Sequence, residues 1–150
     1  MPVRTGKQYI DGLSKKPAEV WISGEKVKDV TTHTAFQNGV RSLAALYDQQ
    51  HDPTTKDSMT FESPSSGDPV GLSFIIPKTI DDLVRRREMM TNWAWESCGM
   101  MARTPDFLNN AVSSWAGSAD YFVSDRPEFK DNVLRYHEYI RENDLTLTHT

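Results

Sequence analysis

The 150-residue chain has one cysteine, Cys98, so no internal disulfide can form, which fits a reducing compartment. Cys98 and the four histidines, His33, His51, His137 and His149, are scattered, and no metal site is legible among them. Basic charge is not in surplus either: 17 Lys and Arg face 21 Asp and Glu, a net charge of -4. Nothing there drives phosphate binding, so nucleic acid is not an expected partner. Long apolar runs are absent, at the N-terminus as elsewhere, so neither a signal peptide nor a membrane span is expected and a cytoplasmic location is. No stretch matches GxGxxG or GxxxxGK, the glycine-rich loops that cradle phosphates.

What is present describes a globular, mainly helical chain with short β-hairpins: 37% of residues are hydrophobic and 25% charged. A helix is predicted from Thr5 to about Leu13, with Ile10 and Leu13 inward. Residues 19–22 and 26–30 read as a hairpin around Ser23-Gly24-Glu25. A second helix is predicted from a cap at Thr31 or Thr32, with Phe36, Val40, Leu43, Ala44 and Tyr47 at helical spacing, ending before His51-Asp52-Pro53. Ser58–Glu62 and Val70–Ile76 read as strands around a Ser/Pro/Gly loop. Thr79 opens a long helix with Asp82 as its capping-box partner, Leu83, Arg87, Met90 and Ala94 on one face, and Gly99 as its stop. Thr104-Pro105-Asp106 starts another helix, reaching about Gly117. The last runs from about Pro127 to Asn143, with Phe129, Val133, Tyr136 and Ile140 inward. Leu145 to His149 alternates strictly and reads as a strand. A strand cannot bury its face alone, so the chain is expected to be an interrupted protein.

From residue type alone, few positions suggest chemistry. Arg103 precedes a helix N-terminus, where the dipole prefers acids; it is either a functional cation or a surface partner of Asp106. His149, between two threonines, could bond a phenol or titrate near neutrality, or be structural. Trp21, Trp93, Trp95 and Trp115 read as core or edge-of-core residues, and Arg85-Arg86-Arg87 as a solvated or salt-bridged helix face.

Several patches, in order, resemble the N-terminal segment of the 4-hydroxyphenylacetate 3-hydroxylase family. They are Thr5 to Leu13, Val20-Trp-Ile-Ser-Gly-Glu-Lys-Val27, Asp29-Val-Thr-Thr-His-Thr-Ala-Phe36, His51-Asp-Pro53, Leu147-Thr-His-Thr150 and, most specific, Gly99-Met-Met-Ala-Arg-Thr-Pro-Asp-Phe107. The resemblance implies the helical N-terminal domain of an acyl-CoA-dehydrogenase-like flavin monooxygenase, spanning residues 1–143. Residues 144–150 would be the first strand of a truncated middle β-barrel domain.

The implied activity is ortho-hydroxylation of a phenol such as 4-hydroxyphenylacetate by the oxygenase component of a two-component system. FAD arrives reduced, as FADH2, from a separate flavin reductase and reacts with O2 to a flavin C4a-hydroperoxide. The complete enzyme would be a tetramer, and the 150-residue chain alone is expected to be inactive. Carried over residue by residue, Arg103 would lie at the substrate phenol and the flavin. His149 would bond the phenol oxygen beside the flavin, and Thr150 would begin the backbone that runs along the cofactor. The family commonly has tyrosine four residues after the arginine. Phe107 keeps that ring at the substrate position and lacks the hydroxyl. A second reading within the family is a 4-hydroxybutyryl-CoA dehydratase, whose iron–sulfur cluster needs a Cys-x3-Cys pair; Cys98 matches the first position and Ala102 stands at the second. A third, of a different class, is a stand-alone, non-catalytic interaction domain.

Overall fold

Thr5 caps the first helix, α1 (Gly6–Lys15), with a full capping box: its hydroxyl accepts from the Gln8 amide and the Gln8 side chain accepts from the Thr5 amide. The structure, a computed structural model, describes residues 3–99, 105–123 and 126–147. The hairpin β1 (Trp21–Ile22) and β2 (Glu25–Lys26) follows, closed by Ser23 and Gly24 with φ of 51° and 82°. Two successive positive φ values match the twist of a two-residue hairpin. The predicted return strand to residue 30 is shorter than expected, because it stops at Lys26.

Helix α2 (Gln37–Asp48) begins later than Thr31 or Thr32. The Asp29 carboxylate instead accepts from the Thr31 amide and hydroxyl at 2.8 and 2.7 Å, and this local turn competes with a helical start. α1 lies directly on α2: a Cβ at Gly6 would come within 2.5 Å of the Ala44 carbonyl, and the Gly6 amide donates to Asp48.

Residues 58–59 belong to a short helix, α3 (Lys56–Met59), before β3 (Thr60–Glu62) pairs antiparallel with β4 (Pro69–Gly71). The predicted strand to Ile76 is cut short because Leu72–Phe74 coil into a 3-10 turn. All three are buried, and a short buried segment does not reveal by pattern whether it is strand or helix.

Thr79 and Asp82 form the expected capping box at the start of α4 (Ile80–Glu96). Its buried face differs from the predicted one: Arg86 and Met89 are buried, while Leu83, Arg87, Met90 and Ala94 are exposed. Arg86 donates to the Ser73 carbonyl at 2.8 Å and Arg85 to the Thr60 carbonyl at 3.3 Å, so the triple-arginine run is partly an interior anchor and not a solvated face. Cys98 (φ 51°) and Gly99 (φ 74°) turn the chain out of the helix.

α5 (Pro105–Gly117) starts at the predicted proline, a second 3-10 turn covers Ala119–Val123, and α6 (Glu128–Glu142) follows. α6 buries His137, Ile140 and Arg141, whereas Phe129 and Tyr136 face out, contrary to expectation. One core cluster joins Met59, Leu72, Ile75 and Met89; the other joins Phe74, Val112 and Ile140. Leu145 and Leu147 pack on the second cluster, yet residues 145–147 form no strand. Their alternation serves a helical surface instead of a sheet; His149 and the rest of the predicted strand lie outside the described residues. No helix among the described residues is long and apolar enough to cross a membrane.

Candidate functional site

The end of α2, the last turns of α4, the second turn of α5 and the segment after α6 converge on one small cavity. Tyr47, Gln50, Trp93, Asn109, Asp144 and Thr146 are in its wall. Its polar side is organised by Asp144, which is 5% exposed and takes φ 46°, a left-handed conformation that aspartate tolerates better than most residues. The Arg4 amide and the Gln50 side-chain amide donate to Asp144 Oδ2 at 2.8 and 2.9 Å. Arg4 Nε donates to the Asp144 carbonyl at 2.9 Å. The Arg4 guanidinium also donates to the Tyr47 hydroxyl and sits 4.8 Å from the Tyr47 ring centre. Tyr47 bonds the Thr146 hydroxyl in turn.

Burial dominates the electrostatics. It pushes the Tyr47 hydroxyl up to about 12, with Asp144 adding to the rise, so the phenol stays protonated. Burial also raises Asp144, against the donors from Arg4 and Gln50. The cluster is thus a hydrogen-bonded clasp around residues 144–146, in which the Arg4 guanidinium lies beside Asp144 and the Tyr47 phenol keeps its proton. No signal in the sequence marked it, because Arg4 and Asp144 stand 140 positions apart.

A second buried chain of polar groups backs the cavity. Asn109 donates to the Ser73 hydroxyl at 2.9 Å, and His137 Nε2 lies 3.0 Å from the Phe74 carbonyl and 3.2 Å from the Ser113 hydroxyl. Burial lowers the His137 pKa; the Phe74 carbonyl opposes this, Arg141 adds to it and Glu138 opposes it. A histidine with a depressed folded pKa contributes stability above its unfolded value, near 6.5, and loses it as pH falls. The melting temperature therefore drops between pH 7.5 and 5.5, and a His137→Gln variant loses part of that slope. Calorimetric melting across this range checks it; an unchanged slope in the variant would be the contrary result.

Of the sequence-predicted site residues, Arg103, His149 and Thr150 lie outside the described residues. Phe107 is on the first turns of α5 and 51% exposed. Trp93 and Asn109, on either side of the segment holding Arg103, share the cavity wall with Thr146, three residues before His149. The larger grooves elsewhere span about 260–360 Å³, with mixed-charge walls that include Lys56, Asp57 and Glu62. Each of these grooves also presents carboxylates, among them Asp57, Glu62, Asp82, Glu25 and Asp29, which repel a flavin dinucleotide's phosphates, so these grooves by themselves do not fit FAD. No group of three metal-ligating side chains occurs among the described residues.

A family model described as 4-hydroxyphenylacetate 3-hydroxylase N terminal matches residues 5–150. The chain is 50% identical over its full length to the 4-hydroxyphenylacetate 3-monooxygenase oxygenase component of Geobacillus sp. (strain PA-9), covering 30% of that protein. It is 48% identical to the oxygenase component of the same name from Thermus thermophilus, covering 97% of this chain and 29% of that protein. The chain therefore spans about 30% of the length of these relatives. A crystal structure of an oxygenase component complexed with FAD and 4-hydroxyphenylacetate superposes with a TM-score of 0.86 at 47% identity, over 95% of this chain and 29% of that one. An archaeal 4-hydroxybutyryl-CoA dehydratase shares the fold, with a TM-score of 0.80 at 18% identity over 95% of this chain and 28% of the other.

Proposed function

Because the chain belongs to the 4-hydroxyphenylacetate 3-hydroxylase N-terminal family, we propose that it forms the N-terminal part of the oxygenase component of a flavin-dependent aromatic monooxygenase. The substrate class is a phenol resembling 4-hydroxyphenylacetate, and the partner is a reductase that delivers reduced FAD. The working assembly is a cytoplasmic homotetramer. Reduced FAD, when bound, supplies the activated oxygen. The rest of this proposal concerns what the chain's own residues do.

Arg103 places a cation beside the phenol hydroxyl, which lowers the hydroxyl's pKa and stabilises an electron-rich ring. His149 hydrogen-bonds the same oxygen, and Thr150 carries the backbone toward the cofactor. Phe107 contributes an apolar face to the ring, without the hydroxyl that tyrosine would add. The observation that carries this reading is the match of the family model to residues 5–150, the stretch that contains Arg103, Phe107, His149 and Thr150. The dehydratase alternative lacks its second thiolate, since Ala102 occupies that position.

The test is a chimera in which residues 1–150 replace the matching segment of the Geobacillus relative. Given reduced FAD, oxygen and 4-hydroxyphenylacetate, the chimera forms the catechol. The 150-residue chain alone forms none and does not bind FAD at micromolar concentration by calorimetry. A folded chimera that makes no product, or a chain that binds FAD tightly alone, contradicts the proposal.

A further inference from the structure

Two buried polar atoms on residues of the cavity wall have no hydrogen-bond partner among the described residues. One is the Trp93 indole Nε1, which can only donate; the other is Asn109 Oδ1, which accepts. Asn109 is 1% exposed, and its Nδ2 already donates to the Ser73 hydroxyl at 2.9 Å. Exchanging the amide's oxygen and nitrogen would still leave one of the two unmatched. Buried polar groups are almost always satisfied, by protein or by an ordered water.

The cavity is about 20 Å³. One water requires roughly 10–15 Å³ measured this way, and a buried water typically makes about three hydrogen bonds. The space thus admits a water. Tyr47, Gln50, Asp144 and Thr146 bring further polar groups to the same wall. We propose that this cavity is a binding site for a single ordered water, which accepts from Trp93 Nε1 and donates to Asn109 Oδ1.

The position of that water gives it a task. Trp93 is in the last turns of α4 and Asn109 in the second turn of α5. The water joins the two helices across the connection that holds Arg103, and it fixes their separation without a direct side-chain contact. That consequence rests on the role proposed for Arg103; the water site itself does not.

Trp93 has built-in controls, since Trp21, Trp95 and Trp115 are 59%, 82% and 51% exposed. In NMR spectra of the 150-residue chain, the Trp93 indole proton, assigned by its loss in Trp93→Phe, shows a cross-peak to water with the sign of a long-lived contact. It also exchanges with deuterium at least about 10-fold more slowly than the Trp95 indole, as burial of the donor requires. A crystal structure of the chimera shows one water between Trp93 and Asn109, and Asn109→Leu displaces it. An indole proton without the long-lived water contact, in a chain whose core amides are protected, overturns the proposal. So does a chimera map with Trp93 Nε1 bonded directly to a protein atom. None of these readouts depends on hydroxylation, so failure of the water site and failure of the monooxygenase reading are told apart.

Discussion

Arg103→Ala in the chimera lowers hydroxylated product by about 100-fold, while reduced FAD goes on being oxidised and hydrogen peroxide replaces the product. The split follows from what the arginine is proposed to touch. A cation at the phenol oxygen acts on the ring that must accept oxygen, so its loss slows transfer to the ring. It leaves the reaction of reduced FAD with oxygen intact, and the unused oxygen leaves as peroxide. A 100-fold loss corresponds to about 2.7 kcal/mol of transition-state stabilisation, within the usual range for one preorganised electrostatic contact. Arg103→Lys keeps the charge without the planar fork, so it recovers part of the coupling. The measurement is product formed per reduced FAD oxidised, with peroxide quantified in parallel. An unchanged ratio in Arg103→Ala removes the residue from the site.

Phe74→Ala has an effect of similar size on stability, costing about 3–5 kcal/mol. Phe74 is 1% exposed and packs with Val112 and Ile140, with Phe61, Leu145 and Leu147 around them. Removing its ring leaves a cavity between the 3-10 turn, α5 and α6, which cannot all collapse inward together. Domains of this kind are stable by about 5–15 kcal/mol in total, so the loss is a large fraction. The matched control is Phe129→Ala. The periodicity of α6 puts Phe129 inward, but the structure leaves it 43% exposed, so truncation there changes stability by roughly 0.5 kcal/mol or less. Urea unfolding of the two variants separates the readings: equal losses would contradict the packing described for α6.

The contrast between Phe74 and Phe129 shows where sequence reasoning reaches and where it stops. The helix start at Thr5 and the capping box at Thr79 were legible because both are set by residues three positions apart. The proline start of α5, the loop at residues 63–68 and the turn at Ser23–Gly24 were legible for the same local reason. So was family membership, since Gly99 to Phe107 is a contiguous stretch whose residues and spacing carry the match. Phe107 and Thr150 were reached only through that match; Arg103 and His149 stood out by residue type but took their roles only from it, because a lone arginine before a helix or a lone histidine has several physical uses.

Which face each helix buries was decided by the tertiary structure. Apolar periodicity put Leu83 and Met90 inside, but the Ser73 carbonyl offers Arg86 an acceptor and the adjoining face of α4 turns in with it. In the same way the Phe74 carbonyl and Ser113 hydroxyl satisfy His137, so α6 buries a histidine and an arginine while Phe129 and Tyr136 stay outside. The clasp of Arg4, Tyr47 and Asp144 is the extreme case, joining both ends of the chain across 140 positions. Local hydrogen bonds are written in neighbouring residues. A buried polar side chain is tolerated only where a distant partner meets it, and that partner exists only once the elements have packed.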